Sequence, residues 1–135
     1  MTPVMQTKLG KSGNCLQACV ASALGFSLVQ VPEFSGRRWA DELRAWFAGL
    51  GLRVITCSRE REGIAIALGR GPRGLRHAVV WREGRMIHDP HPDRSGLLGR
   101  PDQYLYWERS HVLERSGLYV SNAARLSGDR SGAAT

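Results

Sequence analysis

The chain has 135 residues, room for one hydrophobic core but not for two ordinary domains. Its hydrophobic content of 42% points to a packed domain rather than disorder. No apolar run is long enough to span a membrane, and residues 1–6 lack the basic start, apolar stretch and cleavage site of a secretory signal, so the cytoplasm is the expected location. The formal charge of +7 comes from 19 basic and 12 acidic residues. Its arginines are scattered, with no basic stripe or recognition motif, so nucleic acid is not favoured as a partner.

In chain order, the first predicted element is a helix from about Cys15 to Leu24. Leu16, Cys19, Val20, Ala23 and Leu24 fall on one face, Asn14 suits the N-cap and Gly25 the left-handed C′ position. Ser27 to Gln30 forms at most a single turn before Pro32. A second helix spans about Arg38 to Leu50, with Trp39, Leu43, Trp46, Phe47 and Leu50 as its core face and Gly51 as its stop. Leu52 to Cys57 reads as a strand, residues 58–62 as a charged turn and Ile64 to Leu68 as a second strand. Gly69 to Arg76 reads as a mobile surface loop. It lacks the Lys-Ser/Thr ending of a phosphate-binding loop and is expected to form a rim of the site.

His77–Trp81 and Arg85–Asp89 then form the clearest hairpin. With Arg82-Glu83-Gly84 as a three-residue loop, Trp81 pairs with Arg85 and His77 lies across from Asp89. A two-residue loop at Glu83-Gly84 shifts that register by one. Pro90 to Pro101 is a loop, Gln103 to Glu108 the last strand, and 127–135 a polar tail. Residues 1–126 make one α+β domain in which the N-terminal helix carrying Cys15 packs on a small antiparallel sheet.

Three cysteines and no signal argue against a disulfide framework. Cys19 and Cys57 read as small buried side chains. Cys15 and Cys19 lie one turn apart and would make half a zinc site, but the ligand spacing of a structural zinc is missing. No metal or other cofactor is expected.

The chemistry lies in Gly13-Asn14-Cys15-Leu16-Gln17-Ala18-Cys19, His77-Ala78-Val79-Val80-Trp81 and Met86-Ile87-His88-Asp89-Pro90. A thiol nucleophile must lose its proton. A helix N-terminus and a histidine partner favour the thiolate, so the Cys15 pKa is expected to be lowered. His77 serves as general base and acid, and Asp89 orients the ring and stabilises its charged form. The Cys15 backbone N–H and the Gln6 side-chain amide are the candidate oxyanion donors. Asn14, Trp81 and His91 are the candidate substrate contacts. His88 alternates to the opposite face from Asp89, and His111 is assigned no role.

These motifs resemble those of the papain-like cysteine peptidases, and most closely the compact bacterial branch with the bacteriocin-leader-processing peptidase domains of export transporters. The resemblance covers about residues 6 to 91. It implies a papain-like fold, a Cys15–His77–Asp89 triad and cleavage of a peptide or protein amide through an acyl-enzyme. Gln6 stands nine residues before Cys15, further upstream than the family's glutamine, so residues 8–14 must bulge for it to serve. Leu16 stands where that family often has glycine or tryptophan. A deamidase or acyltransferase on the same fold, and a catalytically silent domain that binds a peptide or nucleic acid, are the alternatives.

Overall fold

A computed structural model describes residues 1–110. The polar tail 127–135, His111 and the C-terminal boundary of the domain lie outside the described residues. Helix α1 (Cys15–Leu24) and helix α2 (Trp39–Gly49) precede five strands, β1 (Leu52–Cys57), β2 (Ile64–Arg70), β3 (Arg76–Arg82), β4 (Arg85–His88) and β5 (Gln103–Arg109). The strands form one antiparallel sheet in the order β1-β5-β2-β3-β4. This is the α+β domain expected, with the N-terminal helix packed on the sheet.

Helix α1 is buried from Gln17 to Leu24. A helix of small and apolar residues has no polar face to give to water, so it becomes central. It ends where Gly25 turns left-handed, at φ 79°, as the glycine predicts. Its buried face meets Ile66, Leu68, Ala78 and Val80 of β2 and β3, and Leu43 and Phe47 of α2 complete the same core. Ala65, Ala67, Val79, Tyr104 and Tyr106 form a second buried cluster, their alternation along β2, β3 and β5 placing them on the other face of the sheet. The run Ile64–Gly69 is buried throughout, which fits a central strand covered on both sides.

Several details differ from the sequence reading. Strands β2 and β3 run on to Arg70 and Arg76, which shortens the expected loop to residues 71–75. A short 3-10 turn, Gly10–Ser12, breaks the segment before α1. Cys57 is half-buried, with Sγ 4.0 Å from Arg61 Nη1, because it ends a strand at the edge of the sheet.

The β3–β4 hairpin carries the largest correction. Its turn is the two-residue Glu83-Gly84, with φ of 49° and 83°, the left-handed pair that favours tight hairpins. Arg82 therefore pairs with Arg85 and Trp81 with Met86, and a bulge then brings Val80 opposite His88. The expected Trp81–Arg85 pair and the directly opposed His77 and Asp89 do not form. The bulge adds one residue to β4 and so restores the parity that the shorter turn removes. Asp89 returns to the face of His77, displaced along the strand.

Candidate functional site

Cys15 opens α1 and His77 is the second residue of β3, and the two side chains line a common pocket of about 350 Å³ with Gln6 and His91. His77 is 6% exposed and Asp89 2%. His77 Nε2 lies 2.7 Å from Asp89 Oδ1. The same oxygen accepts the His91 backbone N–H at 2.9 Å, and Oδ2 accepts the Gly96 N–H at 2.7 Å. Burial alone would push the Asp89 carboxyl up. The bonds from His77, His91 and Gly96, with the His77 charge, outweigh it and hold the carboxyl below its ordinary value. Asp89 is thus an ionised group that fixes Nε2 of His77 as the protonated nitrogen and leaves Nδ1 for the pocket.

Cys15 departs from expectation. Burial is the largest influence and raises its thiol pKa. The backbone N–H groups of Ala78, Leu16 and Cys15 itself act against this, and the Asp89 charge adds to the rise. Burial therefore favours the protonated thiol at rest. Cys19 is fully buried and its thiol is pushed well above the usual range, which leaves it inert as a nucleophile.

Gln6 reaches the site because the segment before α1 is strapped down. Val4 N–H donates to Ser22 Oγ at 2.9 Å, His88 Nε2 donates to Val4 O at 2.8 Å, and Gln6 N–H donates to Pro90 O at 3.0 Å. His88 is thus a buried anchor. Residues 7–13 then double back through the 3-10 turn, which absorbs the extra residues between Gln6 and Cys15. Gln6 Nε2 donates to Lys8 O at 2.8 Å. A carbonyl can only accept, so this bond sets which way the amide faces, and Nε2 keeps a second hydrogen. Oε1 is buried without a partner among the described residues.

Two proposed substrate contacts fall elsewhere. Asn14 is 3% exposed and makes no cap bond with its side chain. Its Oδ1 accepts the N–H groups of Thr7 and Lys8, both at 2.9 Å, and its Nδ2 donates to Thr7 Oγ1 and Gln17 Oε1. The N–H groups of the doubled-back loop outcompete the helix start for that oxygen. Trp81 packs edge-on against Tyr104 with ring centres 6.2 Å apart, in the cluster on the far face. It shares the parity of His77 but lies four residues further along the strand, about 13 Å away. His91 does line the pocket, its ring 6.2 Å from that of His77. The Gly96 amide, the Ala78 amide and the apolar walls Leu16, Trp39 and Leu68 were not singled out from the sequence. Backbone donors leave no mark in residue types, and Trp39 at helical spacing reads as core.

No family model, curated protein or solved structure matches this chain.

Proposed function

We propose that this protein is a cysteine hydrolase of papain-like type, which cleaves an amide bond of a peptide or protein through an acyl-enzyme. One observation carries the reading: a buried histidine bonded at 2.7 Å to a buried carboxylate shares a pocket with a cysteine at a helix start. A structural histidine has no need of both companions.

The steps follow from the protonation states. His77 Nδ1 takes the Cys15 proton as the sulfur attacks the carbonyl carbon. The C–S bond forms and the carbonyl electron pair moves onto oxygen, where the second Nε2 hydrogen of Gln6 and the Cys15 backbone N–H stabilise it. The pair then returns, the C–N bond breaks, and His77 gives its proton to the departing amine. Water attacks the acyl carbon and loses a proton to His77, the C–S bond breaks, and the sulfur recovers its proton. Asp89 holds the ring charged at both stages. The raised thiol makes this a general-base mechanism in which the thiolate forms during attack.

The test is a peptide mixture incubated in ¹⁸O-water with the wild-type protein and with Cys15→Ala. The reading expects two fragments per cut, one ¹⁸O in each new carboxyl group, and no products from the variant. An uncut chain with a side-chain NH exchanged for oxygen would replace the peptidase by a deamidase. Equal products from Cys15→Ala would overturn the reading.

A further inference from the structure

Two pockets of different chemistry meet at Cys15 and His77. The first, of about 350 Å³, has the polar and charged side chains of Gln6, Lys11, Arg73 and His91 on its walls beside Leu75. The second, of about 230 Å³, is walled by Leu16, Trp39, Leu68 and Ala78. Cys15, Arg76 and His77 belong to both. A carbonyl carbon that meets the sulfur therefore has one kind of space on one side and the other kind on the other.

The apolar pocket comes from three elements. Leu16 follows the nucleophile on α1, Trp39 opens α2, and Leu68 pairs with Ala78 across β2 and β3. Leu68 and Ala78 belong to the main core, while Leu16 and Trp39 are only partly buried against it. Apolar core surface is thus left open beside Cys15, in a space large enough for one leucine or phenylalanine side chain. On the polar side, Arg73 is paired with Asp93 at 2.8 Å, and Arg76 grips both oxygens of Asp102 at 2.8 Å. Lys11 has no such partner among the described residues.

Resting on the cysteine-hydrolase reading, we propose that the substrate is a peptide with a bulky apolar side chain on one side of the cleaved amide and an acidic side chain on the other. The apolar side chain sits between Leu16, Trp39, Leu68 and Ala78, and the acidic one faces Lys11. The two contacts differ in weight. Burying such an apolar side chain is worth a factor of about ten to a hundred, whereas an exposed ion pair is worth a factor of about two to five and fades with salt.

The experiment uses quenched fluorescent peptides with leucine or glycine on one side of a central amide and glutamate or glutamine on the other, in both orders. Cleavage is read as kcat/KM and the cut site by mass. In one order, leucine should exceed glycine by about tenfold or more, and glutamate should exceed glutamine by about threefold at low salt only. Trp39→Ala should collapse the leucine preference. Leu16→Phe, which narrows the pocket from the opposite wall, should do the same and guards against a folding defect at Trp39. Lys11→Glu should reverse the glutamate preference. Cys15-dependent cleavage without these preferences, or preferences unmoved by the variants, would overturn the proposal while leaving the hydrolase standing. Absence of any Cys15-dependent cleavage would remove both.

Discussion

His77 and Asp89 touch, but their parts in the chemistry are unequal. In the proposed mechanism His77 moves the proton, so His77→Ala should abolish turnover. In the same mechanism Asp89 holds the tautomer and the imidazolium, so Asp89→Asn should lower kcat by up to ~10⁴-fold while the protein stays folded. Steady-state kinetics with a melting curve for each variant checks both. The Cys15 thiol makes a sharper point. Because burial raises it, a small alkylating agent should label Cys15 slowly at pH 6 and increasingly fast as the pH rises past about 8.5, the ordinary thiol value. A labelling rate flat from pH 6 to 9 would mean a pre-formed thiolate and would contradict the general-base account. That Cys15, His77 and Gln6 line one pocket and that His77 meets Asp89 was legible in the sequence, because residue type and order carry it. The thiol's direction was not, because burial of the sulfur is a property of packing.

At the scale of elements, two local devices assemble the site. The bulge in the β3–β4 hairpin cancels the parity change of a two-residue turn and so returns Asp89 to His77. Periodicity alone identified the shared face but not the register, since Glu83-Gly84 and Arg82-Glu83-Gly84 are both plausible turns on paper. The second device is the doubled-back loop before α1. A Cβ on Gly13 would lie 2.9 Å from Gly10 O, 3.2 Å from Lys8 O and 3.4 Å from Gln6 Nε2. Gly13→Ala must therefore push the loop off Gln6. Asn14→Ala frees the Thr7 and Lys8 N–H groups from the other side. Gln6→Ala should lower kcat by about 10²-fold or more, the loss expected for one oxyanion donor. Gly13→Ala and Asn14→Ala should reproduce much of that loss in kcat with smaller changes in KM. Normal kcat in both variants would show that Gln6 does not need the loop.

Over the whole molecule, stability and site share one core. Phe47 is 1% exposed and packs edge-on against Trp46 and at a tilt against Trp107, so Phe47→Ala should cost about 3–5 kcal/mol in denaturant unfolding. Asp89 links the site to acid stability. Its folded pKa lies below the ordinary carboxylate value, so the unfolded chain binds its proton first. The contribution is complete above about pH 5 and is lost as the pH falls below about 4 toward the lower folded pKa. Asp89→Asn should remove that part of the acid-limb slope, which melting curves from pH 3 to 7 would show. The fold class and both helices followed from spacing and end signals such as Gly25. The strand order β1-β5-β2-β3-β4 did not, because antiparallel partners far apart in sequence leave no local pattern.

The central claim is that Cys15 is a nucleophile served by His77 and held ready by Asp89. An activated peptide ester, mixed with the protein and quenched in acid within the first turnover, reads this directly by intact mass and peptide mapping. The account predicts one acyl group per chain, on Cys15, forming far more slowly in Asp89→Asn and not at all in His77→Ala on the same timescale. Acylation at Cys57, or at Cys15 with the same rate in all three proteins, would contradict it.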